Sequence, residues 1–164
     1  QDTGKPDLTT TTAVRLLLDR AASVEEAVEL LSGYDLHASA GMMVHFSIAD
    51  ASGRSVAVEY IDNEMRVVET DIATNFYLSE GEKYGIGSEE SHIRYEILDA
   101  LLQERKAFTM EDIRDALSSV SKHNFDSPFA STEWSIVYNQ QTGEVLYYHR
   151  ENYDNSYSFR LERK

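Results

Sequence analysis

The sequence predicts an α+β fold in which antiparallel strands are covered by helices. Its central part, residues 43–69, contains three successive segments with the two-residue alternation typical of strands, separated by short turns. Helix-like segments with apolar residues at a 3.6-residue period lie on either side, at 13–31 and 93–120. Strands joined by hairpin-length turns favour a layered antiparallel architecture over a doubly wound parallel sheet.

The first two helices are predicted from residues that cap helix ends. The threonines at 9–12 offer capping hydroxyls before the apolar segment 13–20. Ser23 followed by Glu26 has the spacing of a capping box at the start of 24–31. We therefore expect two helices before the first strand.

The alternation at 43–49 indicates a strand with one buried face, because apolar residues such as Phe46 alternate with more polar ones. The pattern resumes after a turn at 50–53 and again after a turn at 62–63. Turns this short join neighbouring antiparallel strands. These three strands are therefore expected to form a meander.

The second half is predicted to contain two helices followed by strands. Ile93, Ile97 and Leu101 recur on one side of the first helix and are expected to face inward. Thr109 with Asp112 has capping-box spacing, which predicts a second helix that covers the same sheet face. The strands are predicted at 133–139, 144–149 and 157–161.

Composition and charge narrow the range of partners. The chain has 164 residues, enough for one hydrophobic core, so 1–164 is expected to be a single domain. Its net charge of −14 would repel nucleic-acid phosphates and anionic lipid surfaces. No apolar run approaches the ~20 residues that cross a bilayer. We expect neither nucleic acid nor a membrane as a partner.

The sequence gives no sign of a metal or cofactor. It contains no cysteine, which excludes disulfides, zinc–thiolate sites and thiol catalysis by these residues alone. The five histidines lack metal-ligand spacing, and no phosphate-binding or dinucleotide-binding glycine motif is present. We therefore expect no metal and no cofactor.

The opening residues, 1–7, form a polar connector without the zones of a signal peptide. Since the first residue is Gln1, the chain is expected to begin in the middle of a longer protein. The compartment stays open, with the cytoplasm slightly favoured.

Six short segments occur in a particular order along the chain: Leu16–Ala22, Phe46–Gly53, Val58–Tyr60, Thr74–Tyr77, Ser91–Tyr95 and Thr132–Tyr138. In this order and spacing they resemble the C-terminal half of the choloylglycine hydrolase family. That family of linear-amide hydrolases includes bile salt hydrolases and penicillin V acylases. The resemblance covers nearly the whole chain and depends on no single motif.

The resemblance implies a particular fold and chemistry. Members of this family are N-terminal nucleophile hydrolases, so it implies part of a four-layer αββα sandwich. It also implies an N-terminal cysteine that attacks the amide carbonyl, with its own α-amine as the base. The chain has no cysteine. The nucleophile is therefore expected on a missing N-terminal segment of the same protein.

Two positions match catalytic residues of the family. Asn75, which follows the strand-like segment 70–74, resembles the asparagine whose carboxamide helps to form the oxyanion hole. Arg94, followed by an aromatic residue near the start of a helix, resembles the active-site arginine. A slip in the local alignment would place His92 there instead. From the residues alone, such an Asn is more commonly a turn former and such an Arg more commonly a surface residue.

The resulting hypothesis is the C-terminal part of an amidohydrolase that cleaves small-molecule, non-peptide amides through an acyl-enzyme thioester. The chain by itself is expected to be inactive. The alternatives are a non-catalytic binding or assembly domain on the same scaffold, and an acyltransferase that passes the acyl group to an amine. Lacking its opening strands, a sandwich would expose apolar surface, so homo-oligomers are also expected.

Overall fold

The computed structural model of the protein describes residues 3–38, 44–62, 64–126 and 130–162. Within them are four helices, α1 (Thr10–Arg20), α2 (Val24–Ser32), α3 (Glu89–Glu104) and α4 (Met110–Ser119). The strands are β1 (Asp7–Thr9), β2 (Asp35–His37), β3 (His45–Ala49), β4 (Ser55–Ile61), β5 (Glu64–Glu69), β6 (Trp134–Asn139), β7 (Glu144–His149) and β8 (Tyr157–Arg160). The α+β class is confirmed. Met43 and Asn63, which belong to a predicted strand and turn, lie outside the described residues.

The chain divides into two compact units, Gln1–His92 and Ile93–Lys164. In the first unit, β1 and β2 pair in parallel, and β3, β4 and β5 form the predicted antiparallel meander. In the second unit, β6, β7 and β8 form another antiparallel meander. The single domain over 1–164 stays a prediction.

One face of the first meander carries the core of the first unit. Alternate residues of β3 and β4 point to this face, where Phe46 pairs with Val58. They pack with apolar residues of β1, β2, α1 and α2. The buried members are Leu8, Ala13, Val24, Leu31, Leu36, Phe46, Val56 and Val58.

The opposite face of β4 is also buried, although a meander with one buried face was expected. Ala57 is fully buried on this face, and so is Glu59. The segment 70–88 lies against this face, because the N–H groups of Leu78 and Ser79 donate to the Glu59 carboxylate. This segment forms one wall of the candidate site.

The prediction of a strand-like segment at 70–74 is wrong. The Thr70 hydroxyl donates a hydrogen bond to the Ile72 carbonyl oxygen at 2.7 Å and accepts one from the Ile72 N–H at 3.1 Å. A side chain that satisfies the local backbone in this way competes with pairing to a neighbouring strand. The segment therefore turns away from the ladder of β5.

The helix caps are confirmed at two of three places. Thr109 and Asp112 form a complete capping box at the start of α4. The Ser23 hydroxyl accepts the Glu26 N–H at 3.2 Å, but the Glu26 carboxylate bonds the N–H of Ala22, so this box is incomplete. Thr9 is the N-cap of α1 without a side-chain capping bond.

The inward orientation predicted for α3 is wrong for two residues. Ile93 is 50% exposed and Ile97 37% exposed. The partly buried side of the helix carries Arg94, Leu98 and Leu101 instead. The apolar stripe of α3 is broad, and the half-buried face is centred on the side of Arg94. Ile93 and Ile97 therefore lie at the edge of this face. In the second unit, α4 packs against β6.

Candidate functional site

The first unit contains a cleft of about 250 Å³ between the start of β3 and the segment that follows β5. Its lining residues are Val44, His45, Asn75, Phe76, Tyr77 and Ile86. Asn75 is exposed, whereas Phe76 and Tyr77 are buried. Asn75, which the sequence predicts as a site residue, thus lies in a wall of the cleft that a ligand can reach.

The backbone on the C-terminal side of Asn75 is held by a short two-stranded contact. Phe76 and Gly87 form an isolated antiparallel bridge. The Tyr77 N–H donates to the Ile86 carbonyl oxygen at 3.2 Å, and the Gly85 N–H donates to the Tyr77 carbonyl oxygen at 2.9 Å. These bonds fix the direction of the chain immediately after the asparagine.

The start of α3 supports the same segment from another side. The rings of His92 and Phe76 stack with centroids 4.1 Å apart, and His92 Nε2 lies 2.9 Å from the Gly85 carbonyl oxygen. The Thr74 hydroxyl, which precedes Asn75, donates to the Ser91 carbonyl oxygen at 2.9 Å. Asn75 is therefore flanked on both sides by residues bonded to neighbouring structure.

A buried carboxylate lies behind the cleft. Glu59 is 0% exposed and accepts two backbone hydrogen bonds of 2.8 Å, from the Leu78 N–H at Oε1 and from the Ser79 N–H at Oε2. His45 Nδ1 lies 3.4 Å from the same Oε1. The carboxylate thus contacts residues from two walls of the cleft.

Glu59 and His45 were not predicted as site residues. A signal for Glu59 exists in the sequence, because a carboxylate inside the apolar segment 56–61 is unusual unless the charge is paired in the fold. His45 carries no such signal. Its position in the cleft follows from β3 register, which pairs it with Glu59.

Arg94 lies in the second turn of α3, in the second unit, and is half-buried. It is not among the residues that line the cleft. His92, the alternative for the same family position, contacts the cleft segment through its stack on Phe76. The structure therefore brings the ring of His92 into contact with the segment that lines the cleft.

The cleft offers a hydrogen-bond donor and an imidazole but no thiol. The carboxamide of Asn75 can donate to an oxygen that gains negative charge during acyl transfer. No group of three metal-ligating side chains occurs within the part of the chain that the structure describes. Among the same residues, no helix is long and apolar enough to pass through a bilayer.

Comparison with known families agrees with the sequence resemblance. No curated protein matches the chain closely enough to be counted as a relative. A family model described as acyl-coenzyme A:6-aminopenicillanic acid acyl-transferase matches residues 6–153, which is most of the chain. This family is similar to the penicillin V acylases and choloylglycine hydrolases, so the resemblance is confirmed. The chain belongs to the acyl-coenzyme A:6-aminopenicillanic acid acyl-transferase family.

Proposed function

We propose that this chain supplies the oxyanion-stabilising part of an enzyme that processes small-molecule linear amides through an acyl-enzyme. Asn75 is its oxyanion donor. The observation that carries the proposal is that Asn75 lines a cleft while its flanking residues are bonded in place. A donor held before the reaction need not reorganise when charge develops on the carbonyl oxygen.

The proposal places the nucleophile, a cysteine with a free α-amine, on polypeptide upstream of these 164 residues. A thioester intermediate needs a sulfur, and these residues contain none. The α-amine takes the thiol proton, the thiolate forms a C–S bond to the carbonyl carbon, and the carbonyl oxygen becomes negative beside Asn75. The C–N bond then breaks, and the amine leaves with the proton that the α-amine returns to it, which gives the thioester. The proposal includes the four-layer αββα architecture. It also expects no turnover from this chain alone.

Either water or an amine can attack the thioester and complete the reaction. We propose hydrolysis as the main reaction and transfer to an amine as the alternative. Attack by water on the thioester releases an acid, whereas attack by an amine forms a new amide. The family description names a coenzyme A thioester as acyl donor and 6-aminopenicillanic acid as acceptor, which supports transfer as the alternative. An assay of both products with and without an added amine separates the two.

Arg94 is the second residue of the proposal. Its guanidinium stays charged at any physiological pH and can bind a carboxylate with two parallel hydrogen bonds. Such a group would orient a substrate carboxylate or the surroundings of the nucleophile. Arg94→Lys retains the charge but loses the fork, so a fall in turnover for this variant would support the role.

The experiment that tests Asn75 uses the protein together with its nucleophile-bearing segment. Asn75→Ala is compared with the unmodified protein on penicillin V and on a glycine-conjugated bile acid. We expect kcat to fall about 100-fold or more with KM little changed, since loss of one oxyanion donor costs about 3 kcal/mol. Asn155→Ala, which alters an exposed asparagine outside the cleft, is the matched control.

Two results would contradict the proposal. Unchanged turnover of Asn75→Ala would favour the non-catalytic alternative, a binding or assembly domain. Absence of any cysteine that can become an N-terminus in the native protein would remove the nucleophile. Mass spectrometry of the protein mixed with substrate reports the acyl-enzyme directly, because the acyl group adds its mass to the nucleophile's segment.

A further inference from the structure

Glu59 is an unusual residue for the middle of a strand. It has 0% exposure, and its neighbours Ala57 and Val58 are also fully buried. Removing a carboxylate from water is costly unless hydrogen bonds or an opposite charge compensate for the lost hydration. The contacts that compensate this one lie at the candidate site, which suggests a role beyond filling space.

The two oxygens of Glu59 bind successive backbone N–H groups. Oε1 accepts from Leu78 and Oε2 from Ser79, each at 2.8 Å. Hydrogen bonds that donate to a charged acceptor are roughly twice as strong as those between neutral groups. Leu78 follows directly after Asn75, Phe76 and Tyr77, the three consecutive residues that line the cleft. The carboxylate therefore anchors the end of the cleft wall that carries Asn75.

The same carboxylate also contacts the other wall. His45 Nδ1 is 3.4 Å from Glu59 Oε1, and the His45 side chain is 19% exposed and lines the cleft. A carboxylate that contacts one ring nitrogen of a histidine fixes the orientation of the ring. The other ring nitrogen can then contact a further partner. Glu59 thus contacts His45 on one wall of the cleft and, through Leu78, bonds the chain segment that carries Asn75 on the other.

We propose that Glu59 is a positioning residue that fixes the Asn75 segment and His45 relative to each other, so that both face one bound carbonyl compound. This rests on the proposed role of Asn75 as oxyanion donor. Glu59 itself touches no substrate. It acts through the N–H groups of Leu78 and Ser79, and its removal moves the donor and leaves the nucleophile unaffected.

Glu59→Gln separates this role from simple packing. Glutamine has nearly the same volume, but its amide has one acceptor oxygen and an NH₂ group that only donates. One of the two N–H groups, on Leu78 or Ser79, therefore loses its acceptor. Glu59→Asp is the second variant, because it retains the charge and withdraws the carboxylate by one methylene group. Val56→Ala in the core of the same strand is the matched control for general destabilisation.

The first measurement is amide hydrogen exchange on this chain. In Glu59→Gln we expect exchange at the Leu78 amide, the Ser79 amide or both to accelerate at least about 10-fold more than exchange at the other protected amides of β4. Glu59→Asp should give a smaller acceleration at the same two amides. In Val56→Ala these two amides should change no more than the rest of β4. Unchanged local exchange in both Glu59 variants would overturn the proposal.

The second measurement is a double-mutant cycle in the protein with its nucleophile-bearing segment. Glu59→Gln alone is expected to lower kcat by about 10-fold to 100-fold with little change in KM, since small displacements of a catalytic group have effects of this size. In the Asn75→Ala background it should lower kcat by less than about 2-fold, because both changes remove the same interaction. Glu59→Asp should fall between the unmodified protein and Glu59→Gln.

The outcomes separate the two proposals. If Asn75→Ala is fully active, the oxyanion role fails, and the positioning role fails with it. If Asn75→Ala is impaired and the effect of Glu59→Gln adds to it in full, only the positioning role is overturned. If neither Glu59 variant folds, the comparison of Leu78→Pro and Leu78→Ala replaces them: only the proline removes the N–H donor, and equal activity of this pair would overturn the proposal.

Discussion

The backbone of Gly87 lies directly against Phe76, closer than any other residue type would allow. A Cβ added to Gly87 would stand 2.3 Å from the Phe76 Cβ and 2.5 Å from the Asn75 carbonyl oxygen. Real side chains do not approach at such distances. The glycine is thus required for the close passage of the two chain segments, and this passage forms the wall of the cleft beside Asn75.

Gly87→Ala is expected to disturb the cleft more than the rest of the fold. The new methyl group must push the Asn75–Phe76 backbone away from residue 87, and overpacking of this kind costs about 1–3 kcal/mol. We expect a lower midpoint of urea unfolding for this chain. We also expect lower turnover of amide substrates in the protein with its nucleophile-bearing segment. The far-UV circular dichroism spectrum, which reports helix and strand content, should stay close to that of the unmodified chain.

Gly33→Ala is the control for this substitution. Its added Cβ would meet the Leu30 carbonyl oxygen at 3.4 Å, an ordinary contact. Its stability should therefore change by less than about 0.5 kcal/mol, as for a surface substitution. Equal effects of the two alanines would contradict the steric role of Gly87.

Asp50 connects the start of α2 to the turn between β3 and β4, and this contact should make stability depend on pH. It accepts hydrogen bonds from the Ser52 hydroxyl at 2.5 Å and from the backbone N–H groups of Val24 and Ser52 at 2.8 Å each. The Ser52 hydroxyl and then the Val24 N–H hold the pKa of the Asp50 carboxyl below its usual value.

Because the folded-state pKa is depressed, the stabilisation from Asp50 is present above the pKa of the unfolded chain and is lost as pH falls through the folded-state pKa. Asp50→Asn should therefore unfold at lower urea concentration than the unmodified chain at pH 7, and the two should converge in strong acid. Asp71→Asn, at an exposed position, is the control. A constant difference between Asp50→Asn and the unmodified chain from pH 7 to pH 2 would contradict this.

The sequence could predict elements that depend on local pattern. The meander of β3 to β5 follows from alternation and turn residues, and the capping box at Thr109 follows from its spacing with Asp112. Asn75 could be selected only through the family resemblance, because an asparagine in a polar loop has no distinctive local signal.

The features missed from sequence depend on contacts between distant residues. Glu59 binds Leu78 and Ser79, about twenty positions away, and only the covered second face of β4 makes that possible. His45 enters the site through its register with Glu59. The sequence does not predict that Ile93 is exposed, because a helical stripe gives the period but not which edge of the stripe is covered.

Thr109 and Thr9 both occupy the N-cap position of a helix, but only one makes the capping bond. The Thr109 hydroxyl accepts the Asp112 N–H at 3.2 Å. The Thr9 hydroxyl instead bonds the Thr12 hydroxyl at 2.9 Å and caps no backbone N–H of its helix. Thr109→Ala should lower the free energy of unfolding by about 1 kcal/mol. Thr9→Ala should lower it less, and chemical denaturation that ranks the pair in the opposite order would refute the assignment.

The hydroxyl of Tyr60 has no hydrogen-bond partner among the described residues, and burial raises the pKa of Tyr60 to about 12. Tyr60→Phe removes this buried polar atom, so we expect stability at pH 7 to be unchanged or higher by up to about 1 kcal/mol. Because the unfolded chain releases the proton first, the unmodified chain loses stability as pH rises from its unfolded pKa toward 12.

Tyr60→Phe should therefore reduce the loss of stability in alkali. Urea denaturation at pH 7 and pH 11 measures it, with Tyr138→Phe at an exposed position as the control. A larger alkaline loss in Tyr60→Phe than in the unmodified chain would show that the folded state does not favour the protonated hydroxyl.

One face of the second meander presents aromatic residues to solvent. Alternation and strand register place Trp134, Tyr138, Tyr157 and Phe159 on this face, and they are 50% to 69% exposed. The opposite face is covered, because Tyr148 is buried there and α4 packs against β6. An apolar sheet face beside the edge strand β8 favours pairing with another copy.

We therefore expect the chain to self-associate through this face. Tyr138→Lys combined with Phe159→Lys should shift sedimentation toward the monomer, because each lysine would bring a charge into the contact between copies. Leu18→Lys makes the same kind of change at another strongly exposed apolar residue, on α1, and should leave association unchanged. A chain that sediments as a monomer at every concentration up to about 100 µM would contradict this, since apolar faces of this kind associate at such concentrations.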